Sequence, residues 1–137
     1  MINKGLMTSN TGEWETPQDL FDELNREFNF TLDPCATKEN AKCEKFYTKE
    51  DDGLSKDWSD EVVFMNPPYG KKIGAWIEYA HKSKGLVVGL LPARTDTRWF
   101  HNFIYEKHKI RFIKGRLRFS NSSNSAPFPS MIVVFES

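Results

Sequence analysis

The strongest local constraint in this chain is the run Val62-Val63-Phe64-Met65, stopped at once by Asn66-Pro67-Pro68-Tyr69-Gly70. Four apolar residues without alternation fit a strand covered on both faces rather than one with a wet side. Neither proline can continue a ladder, since each lacks the N–H and fixes φ at about −65°. The strand therefore ends at Asn66. Ile73, Trp76, Ile77 and Ala80 then recur at the spacing of a helix with one apolar face. A covered strand, a rigid turn and an amphipathic helix together form a unit of an α/β fold.

The alternation continues downstream. Leu86–Leu91 reads as a second buried strand closed by Pro92, and Trp99, Phe100, Phe103 and Ile104 share a helical face capped by Thr95 or Asp96. Ile110–Ile113 is a third strand, residues 120–127 a Ser/Asn loop, and Met131–Phe135 a last strand. Upstream, Thr16 can cap a helix that has Pro17 in its first position and Leu20, Phe21, Leu24 and Phe28 on one face. Phe30-Thr31-Leu32 is a short β-like run ended by Asp33-Pro34. Residues 35–60 are charged and weakly patterned, with a helical turn expected near 37–43 and a short strand at Lys45–Thr48. Regular alternation predicts a mostly parallel sheet with helices on both faces. Ligands of such sheets sit beyond the carboxyl ends of the strands.

At 137 residues the chain is expected to be one domain, 14–137, behind a flexible polar arm over 1–13. The two cysteines, Cys35 and Cys43, make no disulfide framework and fit no Cys-x-x-Cys metal knuckle, so reduced thiols and no metal site are expected. No apolar run approaches the roughly 18 residues that span a bilayer, and the N-terminus is no signal peptide, so a cytoplasmic protein without membrane contact is expected. The zero net charge conceals an asymmetry: residues 1–70 hold 7 basic against 15 acidic side chains, and residues 71–137 hold 12 against 4. Such a split suits a polyanion-binding surface, unless folding interleaves the halves.

The turn after the first strand carries the sharpest chemistry. Its prolines let the Asn66 carboxamide project from the strand end, beside the Pro67 carbonyl and the flat ring of Tyr69. Two acceptors and an aromatic plate suit an exocyclic amine on a planar base.

Asn66–Tyr69 resembles the [Asp/Asn/Ser]-Pro-Pro-[Tyr/Phe/Trp] motif of S-adenosylmethionine-dependent amino-methyltransferases. The series from Trp14-Glu-Thr-Pro through Asn66-Pro-Pro-Tyr-Gly, Leu91-Pro-Ala-Arg-Thr-Asp-Thr-Arg-Trp-Phe-His101, Gly115-Arg-Leu-Arg-Phe119 and Pro127-Phe-Pro-Ser130 resembles the phage-borne DNA N6-adenine methyltransferases over nearly the whole chain. The resemblance implies a compact Rossmann-like methyltransferase fold with an antiparallel C-terminal strand, S-adenosylmethionine as cofactor and DNA as substrate. It implies Asn66, Pro67 and Tyr69 as catalytic residues, and Thr16, Pro17, Asp33, Cys35, Asp51, Asp52 and Asn66 as cofactor contacts. Pro68 and Phe128 would meet the flipped base, and Arg94, Arg98, Arg116 and Arg118 the DNA phosphates.

Plainer roles stand beside these. Thr16 suits a helix cap, Asp33 a turn cap, Asp51 and Asp52 a solvated loop, Phe128 a core aromatic, and the four arginines ordinary surface charge. The chain departs from the family where Pro34-Cys35-Ala36-Thr37-Lys38 replaces a glycine-rich loop, and where only 33 positions separate Asp33 from Asn66. No segment is left for target recognition, so relaxed specificity, a homodimer or a separate specificity subunit is expected. Cytosine N4 is an alternative amine, and a cofactor- or DNA-binding module without turnover is the alternative from another class. The basic second half argues against a protein glutamine.

Overall fold

A computed structural model describes residues 13–136. The arm expected over 1–13 therefore lies outside the described residues, Glu13 excepted. The elements are helix α1 (Gln18–Phe28), strand β1 (Val62–Met65), helix α2 (Ile73–Lys82), strand β2 (Leu86–Pro92), helix α3 (Arg98–Phe103), and strands β3 (Lys109–Phe112) and β4 (Ser130–Phe135). The sheet order is β1-β2-β4-β3.

Side-chain alternation splits the core into two layers. Val63 and Met65 of β1, Val87 and Leu91 of β2, and Met131, Val133 and Phe135 of β4 pack with Ile73, Ile77 and Ala80 of α2 and Phe100 of α3. Phe64, Val88, Leu90, Ile132 and Val134 face the other way, onto Phe21 and Leu24 of α1 and onto Trp14, Phe119 and Phe128. Helices on both faces explain why β1, β2 and β4 read as unbroken apolar runs.

Strand direction corrects the expectation of a mostly parallel sheet. β1 and β2 are parallel, whereas β4 is antiparallel to both β2 and β3. The sheet is mixed because residues 113–129 return the chain at the same edge they left, without a crossover helix. Single-residue parallel bridges extend it past β1, Leu32 to Val63 and Asp33 to Phe46. The strand expected at Lys45–Thr48 is reduced to that one bridge, and residues 37–43 form no helix. Thr37 and Asn40 cap each other's backbone N–H groups there instead.

Two caps also differ. Pro17, not Thr16, precedes α1, and no side chain caps that helix. Thr97, rather than Thr95 or Asp96, caps α3, with its hydroxyl accepting from the Phe100 N–H at 3.3 Å. Among the described residues no helix is long and apolar enough to cross a membrane.

Candidate active site

Topology decides where a ligand can sit. From Leu32-Asp33 the chain first pairs with Phe46 on one side, then returns to pair with Val63 on the other. That reversal is a topological switch point, and the ligand crevice of such sheets lies beyond the carboxyl ends of both segments, here between Asp33-Pro34-Cys35 and Asn66-Pro67.

Asn66 sits at the mouth of this crevice with a fixed orientation. Its Nδ2 donates to the Trp14 carbonyl and, at 2.9 Å, to Thr16 Oγ1. A carbonyl can only accept, so the nitrogen must face Trp14. Oδ1 then points the other way, and it is buried without a hydrogen-bond partner. Leaving a buried acceptor unpaired costs about 1–3 kcal/mol. Such an atom is suited to receive an N–H from a ligand.

Beside it stands an aromatic cluster. The Tyr69 ring meets Phe128 nearly edge-on, with centroids 5.5 Å apart and planes at 66°, and Trp14 packs against Phe119 and Phe128 at 5.3 Å each. The Tyr69 hydroxyl donates to the Leu90 carbonyl at 3.0 Å, and burial raises its pKa. Tyr69 is therefore a neutral plate pinned to β2. Phe128 is 5% exposed, and a planar base would fit between these two rings only if Phe128 moved.

Asp33 serves its own loop. Its carboxylate accepts from the N–H of Cys35 at 3.2 Å and of Lys42 at 3.0 Å, while burial raises its pKa. The Cys35 thiol is pushed well up by burial and by Asp33, and Cys43 is raised to about 12, so both cysteines are protonated and free. Asp51 caps the Thr48 N–H at 2.9 Å, and Asp52, at φ 57°, enters the 3₁₀ turn Gly53–Ser55. That turn lies directly against the Asp33 loop, because a Cβ at Gly53 would come within 2.7 Å of the Pro34 carbonyl oxygen. Trp58 Nε1 donates to the Gly53 carbonyl at 3.0 Å and locks the approach. Gly53→Ala is accordingly expected to destabilise the fold by about 1–3 kcal/mol, read as a lower urea midpoint. An unchanged midpoint would mean that the two loops part freely.

The arginines lie on one edge. β3 runs with β2, so residues 113–129 join the loops after β1 and β2 beyond the same strand ends. Arg94, Arg98, Arg116 and Arg118 are all exposed there. Arg94 lies over the Phe128 ring at 5.7 Å, and Arg118 donates to the Ser123 carbonyl at 2.7 Å. Thus Asn66, Tyr69, Phe128 and Thr16 come together, the Asp51–Asp52 turn packs beside the loop of Asp33 and Cys35, and the arginines are exposed on segments beyond the strand ends. Lys71 and Lys72, not singled out in the sequence, are also exposed just after Gly70. Asn121, indistinct in its Ser/Asn loop, is found bound to the backbone of Glu13 and Glu15.

Comparison with known proteins bears on this arrangement. The profile of the family described as DNA N-6-adenine-methyltransferase (Dam) matches residues 5–137. A DNA N-6-adenine-methyltransferase of Haemophilus phage HP1 is 30% identical, over 99% of this chain and 85% of that protein. Another, of Escherichia phage T1, is 34% identical over 64% of this chain and 38% of that protein. A carboxamide acceptor at a strand end, an aromatic plate and a basic rim therefore stand in a chain that belongs to the DNA N-6-adenine-methyltransferase (Dam) family.

Proposed function

We propose that this protein methylates N6 of adenine in DNA, with S-adenosylmethionine as the methyl donor. The buried, unpartnered Oδ1 of Asn66 carries the reading, since it is an acceptor that the protein itself leaves unpaired. The donor would lie between Asp33 and Asn66, beyond the strand ends where such sheets take their ligands. Asp33, Cys35, Asp51, Asp52 and Pro17 would hold it, Asp33 by shaping the Pro34-Cys35 loop through its bonds to the Cys35 and Lys42 N–H groups. Bound there, S-adenosylmethionine supplies an electrophilic sulfonium methyl. We infer a methyltransferase-like Rossmann arrangement in one domain over 14–137, supported by the reversal of chain direction across Leu32-Asp33 and by two core layers on one sheet.

The residues act mainly by positioning. The N6 lone pair is delocalised into the adenine ring, which makes the amine a poor nucleophile. Asn66 Oδ1 accepts a hydrogen bond from one N6–H and the Pro67 carbonyl accepts one from the other, favouring the tetrahedral nitrogen that in-line attack requires. As the N–CH3 bond would form, the sulfonium S–CH3 bond would break, and the methylated, acidified nitrogen would then lose its proton to water, so fixed dipoles suffice without a strong base. The base must first leave the duplex, a cost of a few kcal/mol offset by stacking on Tyr69, with Pro68 beside it and Phe128 displaced. The arginines hold the phosphates.

The test is nucleoside mass spectrometry of DNA from cells lacking adenine methylation that express this chain. N6-methyladenine is the expected product. N4-methylcytosine would keep the mechanism and change the base, and neither mark from folded protein would leave a binding module.

A further inference from the structure

An amide that must present oxygen to an amine is useful in only one of its two flips, and three segments of this chain converge on that choice. Asn66 Nδ2 is held by the Trp14 carbonyl and Thr16 Oγ1, and Thr16 is 3% exposed, so water does not replace its hydroxyl. The strap Glu13–Thr16 belongs to no strand or helix and needs an anchor of its own. Asn121 provides it much as a neighbouring strand would, with Oδ1 accepting from the Glu15 N–H at 3.0 Å and Nδ2 donating to the Glu13 carbonyl at 3.3 Å. Ser120 adds its N–H to the Glu15 carbonyl at 2.9 Å and its hydroxyl to the Thr16 carbonyl at 3.1 Å. The Trp14 ring, wedged against Phe119 and Phe128, seats the strap's other end.

We propose that Thr16 and Asn121 are positioning residues of the methyl transfer, Thr16 by holding the Asn66 carboxamide and Asn121 by holding the strap that carries Thr16. This rests on the reading of Asn66 Oδ1 as the acceptor of the substrate amine. It assigns Thr16 a role through Asn66 in place of the cofactor contact that its motif suggests. Without the Thr16 acceptor the carboxamide keeps only its Trp14 tether and can swing about that one bond, so Oδ1 loses its fixed aim at the amine. The ground-state fold and the cofactor crevice stay as they were.

The experiment uses the purified full chain, a DNA duplex and S-adenosylmethionine. Single-turnover rates at saturating DNA and cofactor are measured beside the cofactor Kd and the unfolding temperature. Thr16→Val is expected to slow transfer about tenfold to a hundredfold, with the cofactor Kd within about twofold of the parent. Thr16→Ser, which keeps the hydroxyl, should return the rate to within about threefold. Asn121→Ala, with no atom in the crevice, should slow transfer about tenfold at unchanged cofactor Kd, and it carries the test should Thr16→Val fail to fold. A parental rate in Thr16→Val overturns the proposal, as does a loss of cofactor affinity matching the loss of rate. Asn66→Ala separates the two readings. If that variant stays active, the acceptor role itself is wrong. If it is inactive while Thr16→Val is at parental rate, only the positioning role falls.

Discussion

Asn66→Ala is expected to lower the rate of methyl transfer by about a thousandfold or more, while S-adenosylmethionine still binds. Oriented dipoles at a reacting centre are worth about a hundredfold to a thousandfold each. This substitution removes the only side-chain acceptor proposed to meet the amine, and leaves Pro67 alone. It also takes the hydrogen bonds from the Trp14 carbonyl and Thr16 Oγ1, so a stability loss of about 1–2 kcal/mol should accompany the kinetic one. Single-turnover transfer of a labelled methyl group, with calorimetric titration of the cofactor, separates these effects. A fall in cofactor affinity as large as the fall in rate would place Asn66 in cofactor binding rather than in handling the amine.

The second large effect belongs to the rim. Replacing Arg94, Arg98, Arg116 and Arg118 together with glutamine should remove up to four phosphate contacts. The slope of log K against log salt changes by about 0.9 for each phosphate neutralised in duplex DNA. The variant's slope should therefore be shallower by about 3 to 4, and its affinity at 0.1 M salt lower by about a thousandfold. Anisotropy titrations with labelled duplex over a range of salt read both quantities. All four side chains are exposed, so the unfolding temperature should stay close to that of the parent. An unchanged slope would move the DNA path to Lys71 and Lys72. At saturating DNA the variant should retain most of its turnover, since none of the four is proposed to touch the reacting atoms.

Much of the scaffold was legible because it is local. The run Val62–Met65, the prolines after it and the helical spacing of Ile73, Ile77 and Ala80 each act within a few residues, and each element forms where its pattern lies. The apolar uniformity of β2 and β4 announced that both faces would be covered. Caps were misread where two neighbouring residues could each supply an oxygen. Thr97 capped α3 because its hydroxyl lies three residues before the Phe100 N–H, a register that Thr95 and Asp96 do not share. Thr16 suited a helix cap equally well on sequence, and the structure gives its hydroxyl to Asn66 instead.

What the sequence determined by itself, then, is the order of the elements, the turn that projects Asn66, and the motif that marks the family. These follow from backbone chemistry and side-chain periodicity over a few residues. Tertiary structure alone decided the direction of β4 and the closeness of the Gly53 turn to Pro34. It also decided which atom of the Asn66 carboxamide is free. That last choice depends on Trp14, 52 residues away, and on a strap fastened by Asn121, 106 residues from Glu15. A carboxamide's two ends are nearly identical in shape, so only partners brought in from such distances can tell them apart.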